Sequence, residues 1–321
     1  MQSMSEDLVS EFAYQPEKPR LIAVLGPTAS GKSSLAIALA EQFDGEIVSA
    51  DSRLIYRGMD IGTAKPSAEE RARVPHHLID IVSPDARYDL AQWKAAAAAA
   101  IASIHRRGRT PFLVGGAAQW TTALLDGWEP PAVPPDPSFR AAMEERARRE
   151  GVDALHAALA AHDPVAAAGT GPNARRIIRA LEVIRATGQP FSAQRGRAEQ
   201  PYRDLRIGLS LPRAVLYRRI DERVDAMIEA GLVNEVQALR RAGYGPDLPA
   251  MSGIGYRQVG EYLDGVTTLT MMCERIKQAT HRYARHQMTW LRRDPTIQWL
   301  DAENAHELRI SATEAILRFL I

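Results

Sequence analysis

The sequence predicts an α/β fold with a doubly wound parallel sheet. Short apolar runs alternate with helix-like segments in the first part of the chain, and this alternation is typical of parallel sheets. A proline-rich stretch, GWEPPAVPPDP from Gly127, then opens a segment with helical but no strand-like pattern. An apolar strand pattern returns at Leu205. We therefore interpret 127–203 as a helical insertion domain within one core made of 18–126 and 204–321.

The individual elements of the core follow from local hydrophobic periodicity. The predicted strands are the apolar runs at 21–25, 46–50, 77–82, 110–114 and 205–211. The predicted helices have apolar residues at three- and four-residue spacing and cover 33–43, 89–107, 213–230, 232–242, 267–292 and 306–320. Residues 1–17 carry no sustained period, so we expect them to form a flexible tail.

Composition excludes several classes of protein. Forty Lys and Arg residues face thirty-nine Asp and Glu residues, so the net charge of +1 attracts no polyanion overall, and RNA binding would need local charge. Arginine clusters at 140–149, 195–206 and 282–293 supply such charge. The single cysteine, Cys273, excludes disulfide frameworks and cysteine-based zinc sites, and no apolar run is long enough to span a bilayer. We expect a cytoplasmic monomer that does not associate with membranes.

The octapeptide GPTASGKS at 26–33 is the strongest short motif. It matches G-x-x-x-x-G-K-[ST], follows a predicted strand and opens a predicted helix, as a P-loop does. Backbone N–H groups of such a turn bind a di- or triphosphate, Lys32 adds a positive charge, and the Ser33 hydroxyl can bind Mg²⁺. The alternative is a capped strand-to-helix turn without a ligand. The predicted diphosphate site consists of Gly26, Pro27, Thr28, Ala29, Ser30, Gly31, Lys32 and Ser33.

The acidic residue that should accompany a P-loop is not in its usual place. P-loop enzymes commonly end a second apolar strand in an Asp that holds Mg²⁺, but the run at 110–114 ends in Gly115 and Gly116. Asp51 instead follows the second predicted strand, at the sheet edge where α/β folds bind ligands. Its carboxylate can act as a base or cap a turn, and position alone favours neither role.

Seven sequence blocks together resemble bacterial tRNA dimethylallyltransferases. They are GPTASGKS, DSRLIYRGMDIGTAKP, PHHLIDI, LVGG, RRIIRALEV, GIGYRQ and YARHQMTWLRRD, and they occur in the order found in that family. The resemblance implies Mg²⁺-dependent transfer of a dimethylallyl group from dimethylallyl diphosphate to tRNA. The acceptor would be the exocyclic amine of the adenosine immediately 3′ of the anticodon, and diphosphate would be released without nucleotide hydrolysis.

The same resemblance implies roles for individual residues. Asp51 would remove the proton of the amine, while Lys32 and Arg223 would stabilise the leaving diphosphate. The helical insertion would bind the anticodon stem-loop. Without the resemblance, Arg223 and the arginines of 175–179 also fit the pattern of solvated helical arginines. The residues implied to contact tRNA are Asp51, Ser52, Arg53, Leu54, Arg175, Arg176, Arg179, Ser252, Gly255, Tyr256, Arg257, Arg282 and Arg285.

The chain departs from the family pattern at four positions. After LVGG the family usually has Thr, then two residues, then Tyr, whereas this chain has Ala117 and Trp120. The missing Thr hydroxyl is expected to touch the reacting centre, so a slower reaction is predicted unless a neighbour such as Thr121 compensates. His281 and His286 stand where Arg is common, which predicts weaker tRNA contact above the histidine pKa.

Three other functions remain open from the sequence. The first is an adenylate isopentenyltransferase, which prenylates a free nucleotide, and the second is a P-loop small-molecule kinase. The insertion and the long helical region after Leu211 favour tRNA over these small acceptors. The third is a tRNA-binding protein without catalysis, which the presence of Asp51, Lys32 and Ser33 disfavours.

Overall fold

The computed structural model describes residues 18–129, 131–194 and 199–321. The tail expected at 1–17, and Arg195 and Arg197 of one basic cluster, lie outside the described residues. The chain divides into two compact units. The sheet unit consists of the described residues of Met1–Tyr88, Ala95–Thr121 and Pro201–Ile321, and the helical unit of those of Asp89–Lys94 and Thr122–Gln200.

In the described residues, the sheet unit contains six parallel strands in the order β3-β2-β4-β1-β5-β6. The strands are β1 Arg20–Leu25, β2 Gly45–Ser49, β3 His76–His77, β4 Thr110–Gly115, β5 Arg203–Ser210 and β6 Gln298–Asp301. All neighbouring strands pair in parallel. The predicted α/β fold class with a parallel sheet is therefore confirmed.

Helices make up most of the remaining regular structure. In the sheet unit they are α1 Lys32–Gln42, α2 Ala68–Arg73, α9 Arg213–Glu229, α10 Leu232–Arg241, α11 Tyr256–Leu263, α12 Leu269–Leu291 and α13 Ala305–Leu320. The helical unit contains α5 Pro137–Glu150, α6 Val152–His162, α7 Pro164–Thr170 and α8 Ala174–Thr187. Two further helices, α3 Leu90–Arg106 and α4 Ala118–Leu125, contribute residues to both units.

The central strand β1 is buried on both of its faces. Ile22 and Val24 pack into one apolar cluster with residues of α1 and α13. Leu21, Ala23 and Leu25 alternate with them and are equally buried. Because successive strand residues point to opposite faces, both sides of the sheet are covered, as a doubly wound sheet requires.

The predicted strand at 77–82 is the main error of the sequence-based assignment. Only the two residues of β3 pair with β2, because Leu78 and Asp80 have φ angles of 63° and 57° and cannot continue an extended ladder. The backbone N–H groups of Ile81 and Val82 instead bond to the Ile55 carbonyl. Strand β6 and helix α11 were not predicted, since both are too short to show a clear period.

Candidate active site

The P-loop joins β1 to α1 through a turn that reverses the chain sharply. Ala29 and Gly31 have positive φ angles of 62° and 90°, which residues of a right-handed helix do not adopt. Helix α1 therefore begins only after them, at Lys32. No side chain of the described residues caps this helix N-terminus, and helix N-termini of this kind bind anions. The Lys32 ammonium donates a hydrogen bond to the Pro27 carbonyl at 3.0 Å, so it lies over the turn.

One cavity brings the predicted catalytic residues together. Lys32, Asp51 and Arg223 line it, with Thr28 and Ser33 of the P-loop. The space measures about 560 Å³, including the part open to solvent. The other lining residues are Ile47, Ser49, Leu54, Thr63, Ala64, Pro66, His76, Ile79, Val114 and Gly115. Several of them end β2 and β4, so the cavity lies at the carboxyl edge of the sheet, where α/β folds bind ligands.

The charged groups of the cavity influence one another. Burial lowers the pKa of Lys32 to about 8, an effect that the Asp51 carboxylate opposes and Arg223 reinforces. Burial also lowers the pKa of Arg223, and Asp51 again opposes the shift. Two cationic side chains therefore lie near one carboxylate, and burial disfavours the charged form of each cation. This arrangement favours a ligand that brings negative charge.

Asp51 caps its own turn and also lines the cavity, so its role as a base stays a prediction. Its Oδ1 accepts a hydrogen bond from the backbone N–H of Arg53 at 2.8 Å, which stabilises the turn after β2. The same side chain lines the cavity beside Lys32 and Arg223. A carboxylate fixed by its own turn can accept a proton without a large rearrangement.

The two glycines after the β4 core allow neighbouring backbones to approach closely. A Cβ atom at Gly115 would lie 2.3 Å from the Ala50 carbonyl oxygen. One at Gly116 would lie 2.6 Å from the Gly26 carbonyl oxygen, within the P-loop. Any larger residue would push the ends of β1, β2 and β4 apart, so these positions require glycine for space.

Gln287 of α12 contacts this junction, although the sequence analysis did not single it out. Its Oε1 accepts a hydrogen bond from the Thr28 N–H, and its Nε2 donates to the Gly116 carbonyl, both at 2.9 Å. The side chain is 5% exposed. A glutamine at a buried position of the helical period was the only signal of this role in the sequence.

The residues around Arg53 form a connected surface loop. The Arg53 guanidinium donates to the carbonyls of Pro249 and Ala250 at 2.7 and 3.2 Å and lies 3.5 Å from the Ser252 hydroxyl. Arg53 therefore holds the segment before α11 in place. Leu54 lines the cavity, and Ser52 is half-buried.

The remaining predicted tRNA contacts in the sheet unit differ in exposure. Arg257, Arg282 and Arg285 are exposed and accessible to RNA. Gly255 and Tyr256 are buried, and the Tyr256 hydroxyl donates to Glu235 at 2.6 Å. This corrects the RNA contact predicted for Tyr256, because its side chain supports a loop from inside the protein.

The arginines of the helical unit separate into exposed and structural groups. Arg175 and Arg176 are exposed at the start of α8. Arg179 instead bonds to the buried Glu182 at 2.6 Å and to the Val133 carbonyl at 2.9 Å. Its guanidinium stabilises the helical unit, and its predicted contact with RNA stays a prediction. Many arginines of the 140–149 cluster also have acidic partners.

Local contacts surround two of the residues that depart from the family pattern, Ala117 and His281. Ala117 is half-buried just before α4, and its carbonyl accepts the N–H groups of Trp120 and Thr121. The buried Thr121 hydroxyl donates to the Ala118 carbonyl at 3.0 Å, so it does not replace the missing hydroxyl. His281 stacks on Tyr217 with ring centres 4.0 Å apart.

The oxygen donors of the cavity fit a hard cation. The Ser33 hydroxyl and the Asp51 carboxylate line the same space, and Mg²⁺ prefers one or two such protein ligands together with phosphate oxygens. No cluster of three or more His, Cys, Asp or Glu residues suited to a metal occurs in the described part of the chain. No described helix combines the length and apolar character needed to cross a membrane.

Comparison with known proteins identifies close similarities. Residues 54–294 match the family model described as IPP transferase. The tRNA dimethylallyltransferase of Roseiflexus sp. (strain RS-1) is 54% identical over 301 residues, covering 94% of this chain and 98% of the relative. That of Thermomicrobium roseum is also 54% identical and covers 88% and 86%.

Two solved structures resemble the chain throughout most of its length. The full-length tRNA isopentenylpyrophosphate transferase of Bacillus halodurans is 40% identical, with a TM-score of 0.72 and coverage of 94% of this chain and 97% of that one. A eukaryotic dimethylallyltransferase acting on tRNA is 26% identical, with a TM-score of 0.77 and coverage of 93% and 78%.

Proposed function

This chain belongs to the IPP transferase family, and we infer that its cavity catalyses the transfer of a dimethylallyl group to tRNA. The structural observation that carries the inference is the convergence of Lys32, Asp51 and Arg223 on one cavity beside a P-loop. This convergence supports the proposal that a base and a diphosphate site share one reaction space. The comparisons favour neither a free-nucleotide acceptor nor a kinase.

We propose dimethylallyl diphosphate as the donor. Its diphosphate would occupy the P-loop, where the N-terminus of α1, Lys32 and Arg223 provide positive charge. Ile47, Leu54 and Val114 provide apolar surface for the five-carbon chain in the same cavity. The P-loop would thus bind a leaving group, and no nucleotide would be hydrolysed.

The reaction needs a base on one side of the allylic carbon and positive charge on the other. The lone pair of the adenine exocyclic amine is delocalised into the ring, so the amine is a weak nucleophile. As the new nitrogen–carbon bond forms, the carbon–oxygen bond to diphosphate breaks and Asp51 accepts the amine proton. Positioned proton transfer contributes about 10² to 10⁴ in rate. Lys32 and Arg223 stabilise the charge that develops on the leaving diphosphate.

Mg²⁺ belongs to the proposal because the oxygen donors of the cavity suit it. Ser33 would hold the ion through its hydroxyl, together with the donor's phosphate oxygens. When bound, the ion neutralises negative charge on the leaving group. Asp51 remains the proposed base, because Ser33 and the phosphate oxygens would hold the ion and the Asp51 carboxylate lines the same cavity.

Recognition of tRNA requires the target adenosine to leave its stack and enter the cavity. We propose that the exposed Arg175 and Arg176 of the helical unit bind the phosphates of the anticodon stem-loop. Arg257, Arg282 and Arg285 of the sheet unit would provide further phosphate contacts. The adenosine immediately 3′ of the anticodon would be the acceptor.

One experiment separates this function from its alternatives. The full chain is incubated with Mg²⁺, labelled dimethylallyl diphosphate and unmodified tRNA, and the tRNA is then digested to nucleosides for mass spectrometry. We expect label on the adenosine 3′ of the anticodon and release of one diphosphate per transfer. Label on free adenine nucleotide instead of tRNA would support a nucleotide acceptor. Phosphate transfer from ATP would support a kinase, and tRNA binding without product would indicate a noncatalytic protein.

A further inference from the structure

One wall of the cavity is a segment without regular secondary structure. Thr63, Ala64 and Pro66 of the segment 59–66 line the cavity. Ala64 has a φ angle of 52°, a left-handed conformation that is unfavourable for residues other than glycine. Contacts from elsewhere must therefore hold the segment in this shape.

Glu235 of α10 provides the main contact. Its Oε2 accepts the backbone N–H groups of Asp60 and Ile61 at 2.9 and 2.7 Å. Its Oε1 accepts the Gly62 N–H at 3.2 Å and the Tyr256 hydroxyl at 2.6 Å. Each carboxylate oxygen thus binds two donors, which uses its hydrogen-bonding capacity fully. Three consecutive amides are fixed by one side chain.

Tyr256 packs directly beneath the same backbone. A Cβ atom at Gly62 would lie 2.6 to 2.8 Å from three atoms of the Tyr256 side chain, so only glycine leaves room for the ring. Burial, together with the Glu235 carboxylate, raises the pKa of Tyr256 well above its usual range. The phenol therefore stays protonated and keeps donating to Glu235.

Lys65 holds the other end of the segment. Its ammonium donates to the Tyr56 carbonyl at 2.9 Å and to Asp60 and Asp80 at 2.5 Å each. The Lys65 side chain is only 2% exposed. Thr63 and Ala64 consequently lie between two charged groups that fix the backbone on both sides.

We propose that Glu235 is a positioning residue for the diphosphate donor, acting through the backbone of 60–62 on the cavity wall formed by Thr63 and Ala64. Glu235 does not line the cavity, whereas the wall shares it with Lys32, Ser33 and Arg223. A displacement of the wall by about 1 Å changes the fit of a bound substrate enough to reduce the catalytic efficiency, kcat/KM, by up to roughly a hundredfold. The proposal rests on the proposed function of the same cavity.

The test compares Glu235→Ala and Glu235→Gln with the wild-type chain. The alanine variant leaves four donors without their acceptor, so we expect the KM for dimethylallyl diphosphate to rise about tenfold to a hundredfold. Hydrogen–deuterium exchange at 60–62 should become faster, and the affinity for tRNA should not change. The glutamine variant keeps one oxygen that can accept two of the amide N–H groups. Its KM should therefore lie between those of the wild type and the alanine variant.

Asp264→Asn is the matched control. Asp264 forms a two-point ion pair with Arg240, on the same helix α10, at 2.7 and 2.9 Å, and neither residue lines the cavity. This variant should lower stability without changing the donor KM. A purely structural role of Glu235 would reduce the fraction of active molecules, which lowers the apparent kcat and leaves KM unchanged.

An unchanged donor KM in Glu235→Ala, with faster exchange at 60–62, would overturn the proposal. If Glu235→Ala does not fold, Glu235→Gln must raise the KM, and an unchanged value there overturns the proposal as well. A wild-type chain that transfers no dimethylallyl group would refute the proposed function instead. In that case the affinity for inorganic diphosphate with Mg²⁺ decides: weaker binding in the variant supports the positioning role, and equal binding refutes it.

Discussion

Gln287 accepts a hydrogen bond from the backbone N–H of Thr28 at 2.9 Å, across 259 residues of sequence. The P-loop turn near the start of the sheet unit is therefore shaped partly by α12, a helix that follows Arg223 in the chain. Because Gln287 also donates to Gly116, one side chain connects the loops after β1 and β4. Donor binding should depend on α12 even though Gln287 is absent from the cavity lining.

Gln287→Leu keeps a similar volume and removes both hydrogen bonds. The Thr28 N–H and the buried Gly116 carbonyl then lack partners, which should lower the free energy of unfolding by about 1 to 3 kcal/mol. Urea denaturation measures this change, and the donor KM should rise in parallel. Gln278→Leu, at an exposed position of the same helix, is the control and should alter neither quantity.

Asp51→Asn should abolish most of the chemical step. The amide cannot take a proton from the adenine amine, so we expect kcat to fall about 10² to 10⁴ fold. Single-turnover transfer to tRNA measures the step, and filter binding should show tRNA affinity close to that of the wild type. Asp247→Asn changes an exposed carboxylate and serves as control. A kcat near the wild-type value in Asp51→Asn would exclude Asp51 as the base.

The lowered pKa of Lys32 predicts an alkaline limit on donor binding. Lys32 loses its proton as the pH rises through about 8, so the cavity loses a positive charge and the affinity for inorganic diphosphate should fall. The effect of pH on folding stability has the opposite sign. Because the unfolded chain binds the Lys32 proton more tightly than the folded chain, the contribution of Lys32 to the free energy of unfolding rises with pH between about 8 and its ordinary pKa.

Calorimetric titration of inorganic diphosphate between pH 7 and roughly pH 9.5 checks this limit on either side of the lowered Lys32 pKa. Lys32→Arg keeps its charge over that range and should flatten the alkaline decline. An unshifted decline in Lys32→Arg would assign the pH dependence to another group.

Ala117→Thr should increase turnover. The added hydroxyl would supply the hydrogen bond to the reacting centre that the family pattern implies, worth roughly 1.5 to 3 kcal/mol to a charged partner. The rate would then rise about tenfold to a hundred-and-fiftyfold. Steady-state kinetics with tRNA measure it, and tRNA affinity should stay constant. Ala117→Val, which adds bulk without a hydroxyl, should bring no gain. An unchanged rate in Ala117→Thr would reject a role for this hydroxyl.

Replacing the exposed Arg175 and Arg176 by Gln should weaken tRNA binding without affecting diphosphate binding. Each lost phosphate contact should reduce the slope of log affinity against log salt by about 1. Arg179→Gln should instead destabilise the helical unit, because it removes the ion pair to the buried Glu182. Arg148→Gln provides the control of an exposed arginine that is already paired with an acid. Equal salt slopes for the double variant and wild type would contradict the proposed contacts.

The sequence predicted the strands and the helix around the P-loop well because their signals are local. The P-loop lies between a strand and a helix whose patterns span only a few residues each, and Asp51 follows the next strand directly. These short elements come together because parallel strands place their carboxyl ends at one edge. The residues that the family resemblance implied for catalysis, Lys32, Asp51 and Arg223, do share one cavity.

The errors and omissions concern side chains whose partners are distant or hidden. Tyr256 carries no local sign of its bond to Glu235, which lies 21 residues earlier in the chain. Gln287 and Glu235 were missed for the same reason, since each acts on a backbone far away in sequence. The strand expected at 77–82 failed because positive φ angles leave no trace in an apolar run.

The position of β1 in the sheet has a consequence for biosynthesis. β1 pairs with β4 on one side and with β5 on the other, and Arg20 faces Arg203 in the second ladder. During translation, β1 is synthesised long before β5, its second neighbour in the sheet, which begins only at Arg203. Polypeptides released before β5 is synthesised would carry an unpaired edge on β1, and such edges promote aggregation. Aggregation and degradation, rather than reduced catalysis, would therefore limit the amount of truncated protein.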